Sequence, residues 1–203
     1  MHIAVAGNIG SGKTTLTELL AKHYQWEPHY ENVEDNPYLH DFYEDMQKWA
    51  FNLQVYFLTK RFQHLLKVAQ AEKSVIQDRT LYEDASIFAP NLYEMGLMAQ
   101  RDFETYRQLF EQIACVIQHP DLTIYLRASV PTLVRQIQKR GRKFEASIRL
   151  DYLQRLNERY EAWIEKYKGR LLIIDVDQYQ FSEKPEDLRY VINKIDASIN
   201  GLF

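Results

Sequence analysis

Short runs of consecutive apolar residues alternate along the chain with longer stretches in which apolar positions recur every three or four residues. The runs at residues 3–6, 74–77, 122–126 and 171–174, with a weaker one near 26–30, predict five strands of a buried parallel sheet. The stretches between them predict helices. Leu16, Leu19 and Leu20 mark an amphipathic helix directly after the first strand. Residues 47–72 hold neither proline nor glycine. They carry Trp49, Phe51, Leu53, Tyr56, Phe57, Phe62, Leu65 and Leu66 around much of the circumference, which predicts a long, largely buried helix. Ile148, Leu153, Leu156, Tyr160, Trp163, Ile164 and Tyr167 form one stripe over residues 147–167, and Leu188, Val191, Ile192, Ile195 and Ile199 another over 184–200. Strands alternating with helices predict an α/β fold, a three-layer α/β/α sandwich around a five-stranded parallel sheet with long flanking helices. With no repeat, low-complexity tract or Gly/Ser linker, residues 1–203 read as one domain.

Composition narrows the class. Of 203 residues, 46% are hydrophobic and 26% charged, enough for one well-filled core. A net charge of -3 argues against a general nucleic-acid binder, so any basic surface must be local. The single cysteine, Cys115, excludes an internal disulfide, and no His/Cys cluster has zinc-ligand spacing. No apolar run approaches the roughly 20 residues that span a bilayer, and the first strand begins at the second residue. A cytoplasmic protein, off the membrane and in a reducing compartment, is expected.

The chemistry starts where the first strand ends. Gly7, Asn8, Ile9, Gly10, Ser11, Gly12, Lys13 and Thr14, followed by Thr15, match the G-x-x-x-x-G-K-[ST] phosphate loop between a strand and a helix. The glycines let successive N–H groups point inward, and the positive end of the next helix adds to the field on an anion. Lys13 is placed to reach the outer phosphates of a nucleoside triphosphate, and the Thr14 hydroxyl to hold a Mg2+ bridging them.

Asn193-Lys194-Ile195-Asp196 matches the guanine-reading N-K-x-D of GTPases, yet it lies inside the last helical stripe rather than after a strand. The companion D-x-x-G is absent: none of the seven glycines has Asp three residues before it. A mechanical ATPase would need the hydrolytic Asp/Glu pair at a strand end, which the chain lacks. A kinase with an acceptor pocket remains, built at the carboxyl ends of the strands. The second strand is expected to end at Glu31 and the third to run into Asp78, Arg79 and Thr80, converging above the phosphate loop.

At this point the chain resembles the deoxynucleoside kinase family over nearly its whole length. The most specific match is residues 78–94, beginning Asp78-Arg79-Thr80, which looks like the E-R-S (or D-R-S) motif and its following helix. Tyr43-Glu44, Trp49, Gln54 and Arg61, and Arg140-Gly141-Arg142 with Glu145, are further matches. The resemblance implies a P-loop kinase fold in which Glu31 is the general base, and Asp78 and Arg79 lie beside the 5′-hydroxyl and phosphates. It implies that Thr14 and Asp78 hold the metal, that Tyr43 and Glu145 hold the deoxyribose 3′-hydroxyl, and that Gln54, Arg61 and Asp84 read the base against Phe88. Arg140 and Arg142, in a lid at about 139–147, would close over ATP, with residues 177–181 near the donor base. Helical spacing independently permits Gln54 and Arg61, seven apart, to share a face, and likewise Asp84 and Phe88.

Two positions depart from the family pattern. Asp78 is one methylene shorter than the Glu of the E-R-S form, and the position one turn before Arg140 is Gln136, with Arg135 beside it. Gln54 with Arg61 and Asp84 is similar to purine- and cytosine-using members, so deoxyadenosine, then deoxyguanosine, then deoxycytidine is the expected order in nucleotide salvage. A homodimer through long helices is the implied assembly. Competing readings are a GTPase switch, a catalytically silent relative acting as a binding subunit, and a nucleoside monophosphate kinase. The last would need extra arginines for a second phosphate, which Glu31 would repel.

Overall fold

The computed structural model describes residues 1–31, 35–142, 145 and 147–201. Its five strands are β1 (His2–Gly7), β2 (Glu27–His29), β3 (Val75–Asp78), β4 (Leu122–Arg127) and β5 (Leu171–Asp175), all parallel in the order β2-β3-β1-β4-β5. The central strand is buried at every position, as its unbroken apolar run requires. Successive side chains still divide between the faces. Ile3 and Val5 of β1, with Leu122, Ile124 and Leu126 of β4, pack on one side against α1 (Lys13–Tyr24), α7 (Val130–Arg140) and α9 (Pro185–Ile199). Ala6 and Tyr125 face the other side, where α2 (Leu39–Glu44), α3 (Met46–Gln70), α5 (Ala89–Glu94) and α8 (Leu150–Glu165) supply Phe42, Leu53, Leu92, Tyr152, Leu156 and Tyr160. The small alanines of β1 leave room on that side for aromatic rings. A third cluster joins Leu58 and Leu65 of α3 to Tyr106 of α6 (Gln100–Ala114) and to Leu81 of the one-turn α4 (Leu81–Glu83).

A π-helical turn, Asp84–Phe88, links α4 to α5. Its cause is local: Pro90 has no N–H for the Ser86 carbonyl, and the Ala89 N–H reaches back to Asp84 instead. Asp84 and Phe88 nonetheless face the same cleft.

Three expectations change. β2 stops at His29, two residues before Glu31, because this edge strand pairs only with β3 and their register ends at His29 opposite Gln77. α8 starts at Leu150 rather than at 147, since Arg149 before it is extended (φ -73°, ψ 138°) and Ile148 N–H bonds back to Glu145 O. α3 runs Met46–Gln70 as a long helix but is buried only along Ala50, Leu53, Gln54, Leu58, Arg61 and Leu65. Leu66 is 48% exposed and Phe51, Phe57 and Phe62 are half-buried, because a helix laid on a layer covers one stripe of its surface. The guanine-reader reading fails as the periodicity indicates: Asn193 is exposed on α9, and Asp196 accepts from the Tyr24 hydroxyl at 2.8 Å.

Candidate active site

A cleft opens at the carboxyl ends of β1 and β3, between the phosphate loop, α2, α3, the π turn and the start of α8. Its walls bring together Ile9, Gly10, Lys13, Thr14, Glu31, Tyr43, Gln54, Arg79, Asp84, Phe88, Arg140, Arg142 and Glu145, most of the residues singled out from the sequence. Ser11, Gly12 and Thr15 instead line a second depression, with Arg135, Gln136, Lys139 and Phe181, which lies on the α7 side of the loop. Gly7 and Asn8, the first residues of the loop, are buried. Arg61 and Asp78 lie behind the cleft wall and act on it through their partners.

The loop is held open by backbone geometry. Gly10 has φ +85°, and a Cβ there would lie 2.8 Å from both the Leu133 carbonyl oxygen and Ile137 Cγ1. The Asn8 side chain donates to the Leu153 carbonyl and to Asn157 Oδ1, each at 3.2 Å, so α8 fixes the start of the loop. Lys13 curls over it, with Nζ donating to the Asn8 carbonyl at 3.0 Å. Burial, then the neighbouring Arg79, lowers the Lys13 ammonium to about 8, with Asp78, Glu31 and Glu83 opposing the shift.

Register places Asp78 opposite Val5, one turn of chain from the loop. Thr14 Oγ1 donates to Asp78 Oδ2 at 2.6 Å, while Asp78 Oδ1 is buried with no protein partner. Burial pushes the Asp78 carboxyl up. A hydroxyl beside a carboxylate with an orphaned oxygen is a hard, all-oxygen donor set of the kind that suits Mg2+. Three cations, Lys13, Arg61 and Arg79, lie among four carboxylates, Glu31, Asp78, Glu83 and Asp84, while Arg140 and Arg142 pair with Glu145.

Glu31 is gripped from two elements. Arg61 Nη2 donates to its Oε1 at 2.6 Å, and Arg79 Nε lies 3.4 Å from its Oε2. Burial pushes the Glu31 carboxyl up, but Arg61, Arg79 and Lys13 together overcome it and hold it at about 2. Arg61 also pairs with Asp84 through Nε and Nη2, an ion pair in which both side chains are buried. Gln54, on the same face of α3, is 2% exposed and its amide oxygen has no protein partner. Phe88 lies under the Arg79 guanidinium at 4.5 Å. Arg140 and Arg142 converge on Glu145, with Arg140 Nε donating to Glu145 Oε2 at 3.0 Å. Residues 143, 144 and 146 of the expected lid lie outside the described residues.

Sequence reasoning left two residues out. Glu83 is fully buried, and its Oε1 accepts from Gly7 N–H (3.2 Å) and the Tyr160 hydroxyl (2.8 Å). Its Oε2 accepts from Thr80 N–H (2.7 Å), and Arg79 Nη1 lies 3.6 Å from Oε1 and donates to the Tyr160 hydroxyl at 2.6 Å. The local half of that role is visible as Thr80-x-x-Glu83, a capping box at the start of α4. The tie to Gly7 was not. Asn157, which holds Asn8 and donates to the Ala128 carbonyl at 3.2 Å, carried no signal beyond its place on α8.

A phosphate loop facing a strand-end carboxylate and arginine across a cleft defines a P-loop kinase that passes a phosphoryl group to a small acceptor. The family model described as deoxynucleoside kinase matches residues 3–200. The chain belongs to the deoxynucleoside kinase family, and it is a nucleotide-dependent phosphotransferase of that family. It is 35% identical to a deoxyadenosine/deoxycytidine kinase of Bacillus subtilis (strain 168), over 98% of this chain and 93% of that one. It is 39% identical to a deoxyadenosine kinase of Dictyostelium discoideum, over 94% of this chain and 77% of the other. Among solved structures it is similar to deoxyadenosine kinase from M. mycoides with products dCMP and a flexible dCDP bound, at a TM-score of 0.86 and 33% identity. That likeness covers 97% of this chain and all of the other. The same enzyme with bound dATP matches equally well, at 0.86 and 32% identity.

Proposed function

We propose that the chain transfers the γ-phosphate of ATP to the 5′-hydroxyl of a purine deoxynucleoside, deoxyadenosine ahead of deoxyguanosine and deoxycytidine third, in nucleotide salvage. The observation that carries the base preference is the buried Gln54 amide, whose oxygen has no protein partner, beside the Arg61–Asp84 pair. A buried amide left short of a bond is completed by a ligand that donates to it, and adenine offers its N6 amino group together with a ring acceptor. Relatives named for deoxyadenosine, deoxyguanosine and deoxyadenosine/deoxycytidine support an acceptor among these three nucleosides.

In this reading the sugar lies between Tyr43 and Glu145, and the base between Phe88 and the Gln54 amide. Glu31, ionised by its two arginines, orients the 5′-hydroxyl and takes its proton as the bond to phosphorus forms. Lys13 and the loop amides from Ile9 to Thr15 hold the phosphates of the donor, and Arg79 balances the charge that grows on the transferred group. Arg140 and Arg142 turn from Glu145 to the donor when the lid closes. Thr14 and Asp78 are the residues to hold Mg2+, which would neutralise phosphate charge when bound. The residue range 1–203 acts as one domain.

We also read the protein as a cytoplasmic homodimer formed through its long helices, a reading that the exposed Leu66 of α3 and Leu109 of α6 support. Among the described residues no helix is long and apolar enough to cross a membrane. The test of the assignment is turnover with ATP on each of the four deoxynucleosides. Deoxyadenosine should give the highest kcat/KM, and fastest phosphorylation of thymidine would overturn the base reading.

A further inference from the structure

Arg61 does more than a base-reading arginine requires. Its Nε and Nη2 both engage Asp84 on the π turn, which already satisfies a buried guanidinium as an ion pair. Nη2 makes a second bond, at 2.6 Å, to Glu31 Oε1, on a segment thirty residues away in sequence and on the phosphate side of the cleft. Glu31 lies two residues beyond the end of β2, so no strand pairing sets its direction. What aims its carboxylate is its side-chain partners: Arg61 at one oxygen, Arg79 at the other. A guanidinium is planar and rigid, so pinning Nε on Asp84 also fixes where Nη2 points.

We propose that Arg61 is a positioning residue for Glu31, through which the nucleobase pocket governs turnover as well as affinity. The inference rests on the reading of Glu31 as the group that meets the 5′-hydroxyl. A base that draws on Asp84 or Arg61 moves the guanidinium, and Nη2 carries that movement to the carboxylate. Displacement of a reacting group by 1 Å is enough to lower a rate about 100-fold. A wrong base is therefore rejected twice, once in binding and once in the chemical step.

A double-mutant cycle on the full chain, at saturating ATP and deoxyadenosine, tests this, with nucleoside Kd measured separately by titration. Glu31→Gln should lower kcat by about 100-fold or more. Arg61→Met should lower kcat roughly 10- to 100-fold in the native background but less than about 3-fold on top of Glu31→Gln, because its effect passes through the missing carboxylate. Arg61→Lys keeps the charge but cannot hold both carboxylates, so it should recover part of the affinity and little of kcat. A base reader alone would change Kd and leave kcat intact, and a general structural role would give the same fold loss in both backgrounds. Either result overturns the proposal while leaving the Glu31 reading standing. If Glu31→Gln leaves kcat within about 3-fold of native, the reading of Glu31 fails and the proposal fails with it. Should Arg61→Met not fold, the same cycle with Arg61→Lys decides by the same criterion.

Discussion

Replacing Glu83 by glutamine removes one charge and changes almost no volume, yet it strikes the point where the two halves of the cleft are joined. Four donor groups from three segments converge on the carboxylate: Gly7 N–H, the Tyr160 hydroxyl, and the Thr80 N–H and hydroxyl. Arg79 Nη1 stands 3.6 Å away, and both side chains are buried. An amide offers one oxygen. If it keeps Thr80 N–H, its NH2 is turned toward Gly7 N–H, which is left unpaired at about 1–3 kcal/mol. Arg79 also loses a buried counter-charge, and breaking such a pair costs about 3–5 kcal/mol when no other partner remains. Glu31 and Tyr160 still face Arg79, so the total should stay near about 3–5 kcal/mol. For a chain of this length that is a fall of roughly 6–20 °C in Tm. The displaced Arg79 should lower kcat by about 10- to 100-fold, with nucleoside Kd changed much less. Thermal unfolding followed by circular dichroism, and steady-state kinetics on the same preparation, measure both. A loss of only about 1 kcal/mol, with kcat within twofold of native, would mean that Glu83 merely caps α4, and the reasoning would be refuted.

Two other perturbations follow from the geometry. Gly10→Ala and Gly141→Ala both place a Cβ on a left-handed backbone, φ +85° and +68°, costing about 1–2 kcal/mol each. Only at Gly10 does the Cβ also strike backbone, the Leu133 carbonyl oxygen at 2.8 Å, adding about 1–3 kcal/mol, so equal Tm losses would contradict the packing of the loop against α7. Glu31, lowered from 4.5 to about 2, is ionised in the folded protein at pH values where the unfolded chain has already taken up the proton. Its stabilisation, up to about 3 kcal/mol, is present above pH 4.5 and lost as pH falls toward 2. Glu31→Gln should therefore melt lower than native at pH 7, with the gap about halved by pH 3, and a gap that widens on acidification would reverse the assigned sign.

How much of this was legible beforehand depends on the range of the interaction. The strand β1, the phosphate loop and the start of α1 are contiguous, and their apolar run, glycines and lysine are local signals. The stripe on α9 ruled out the guanine reading because helical period alone turns Asn193 to solvent. Gln54 and Arg61 could be set on one face by their spacing, and both are buried as that spacing predicts. The end of β2 was misjudged because the length of an edge strand is decided by its neighbour's register. α3 is a long helix as its pattern predicts, but it is buried more narrowly, because apolar residues mark what a helix is able to bury and not what packs against it.

By itself the sequence determined the fold class, the phosphate-loop motif and the family, since each rests on periodicity or on short motifs. Only the tertiary structure decided that Glu31 is held between Arg61 and Arg79, that Asp78 turns one oxygen to Thr14 and leaves the other open, and that Glu83 and Asn157 anchor the phosphate loop. Those contacts join segments 30 to 149 residues apart. Their directions come from sheet register and helix packing, which make buried charges meet and which no local spacing encodes.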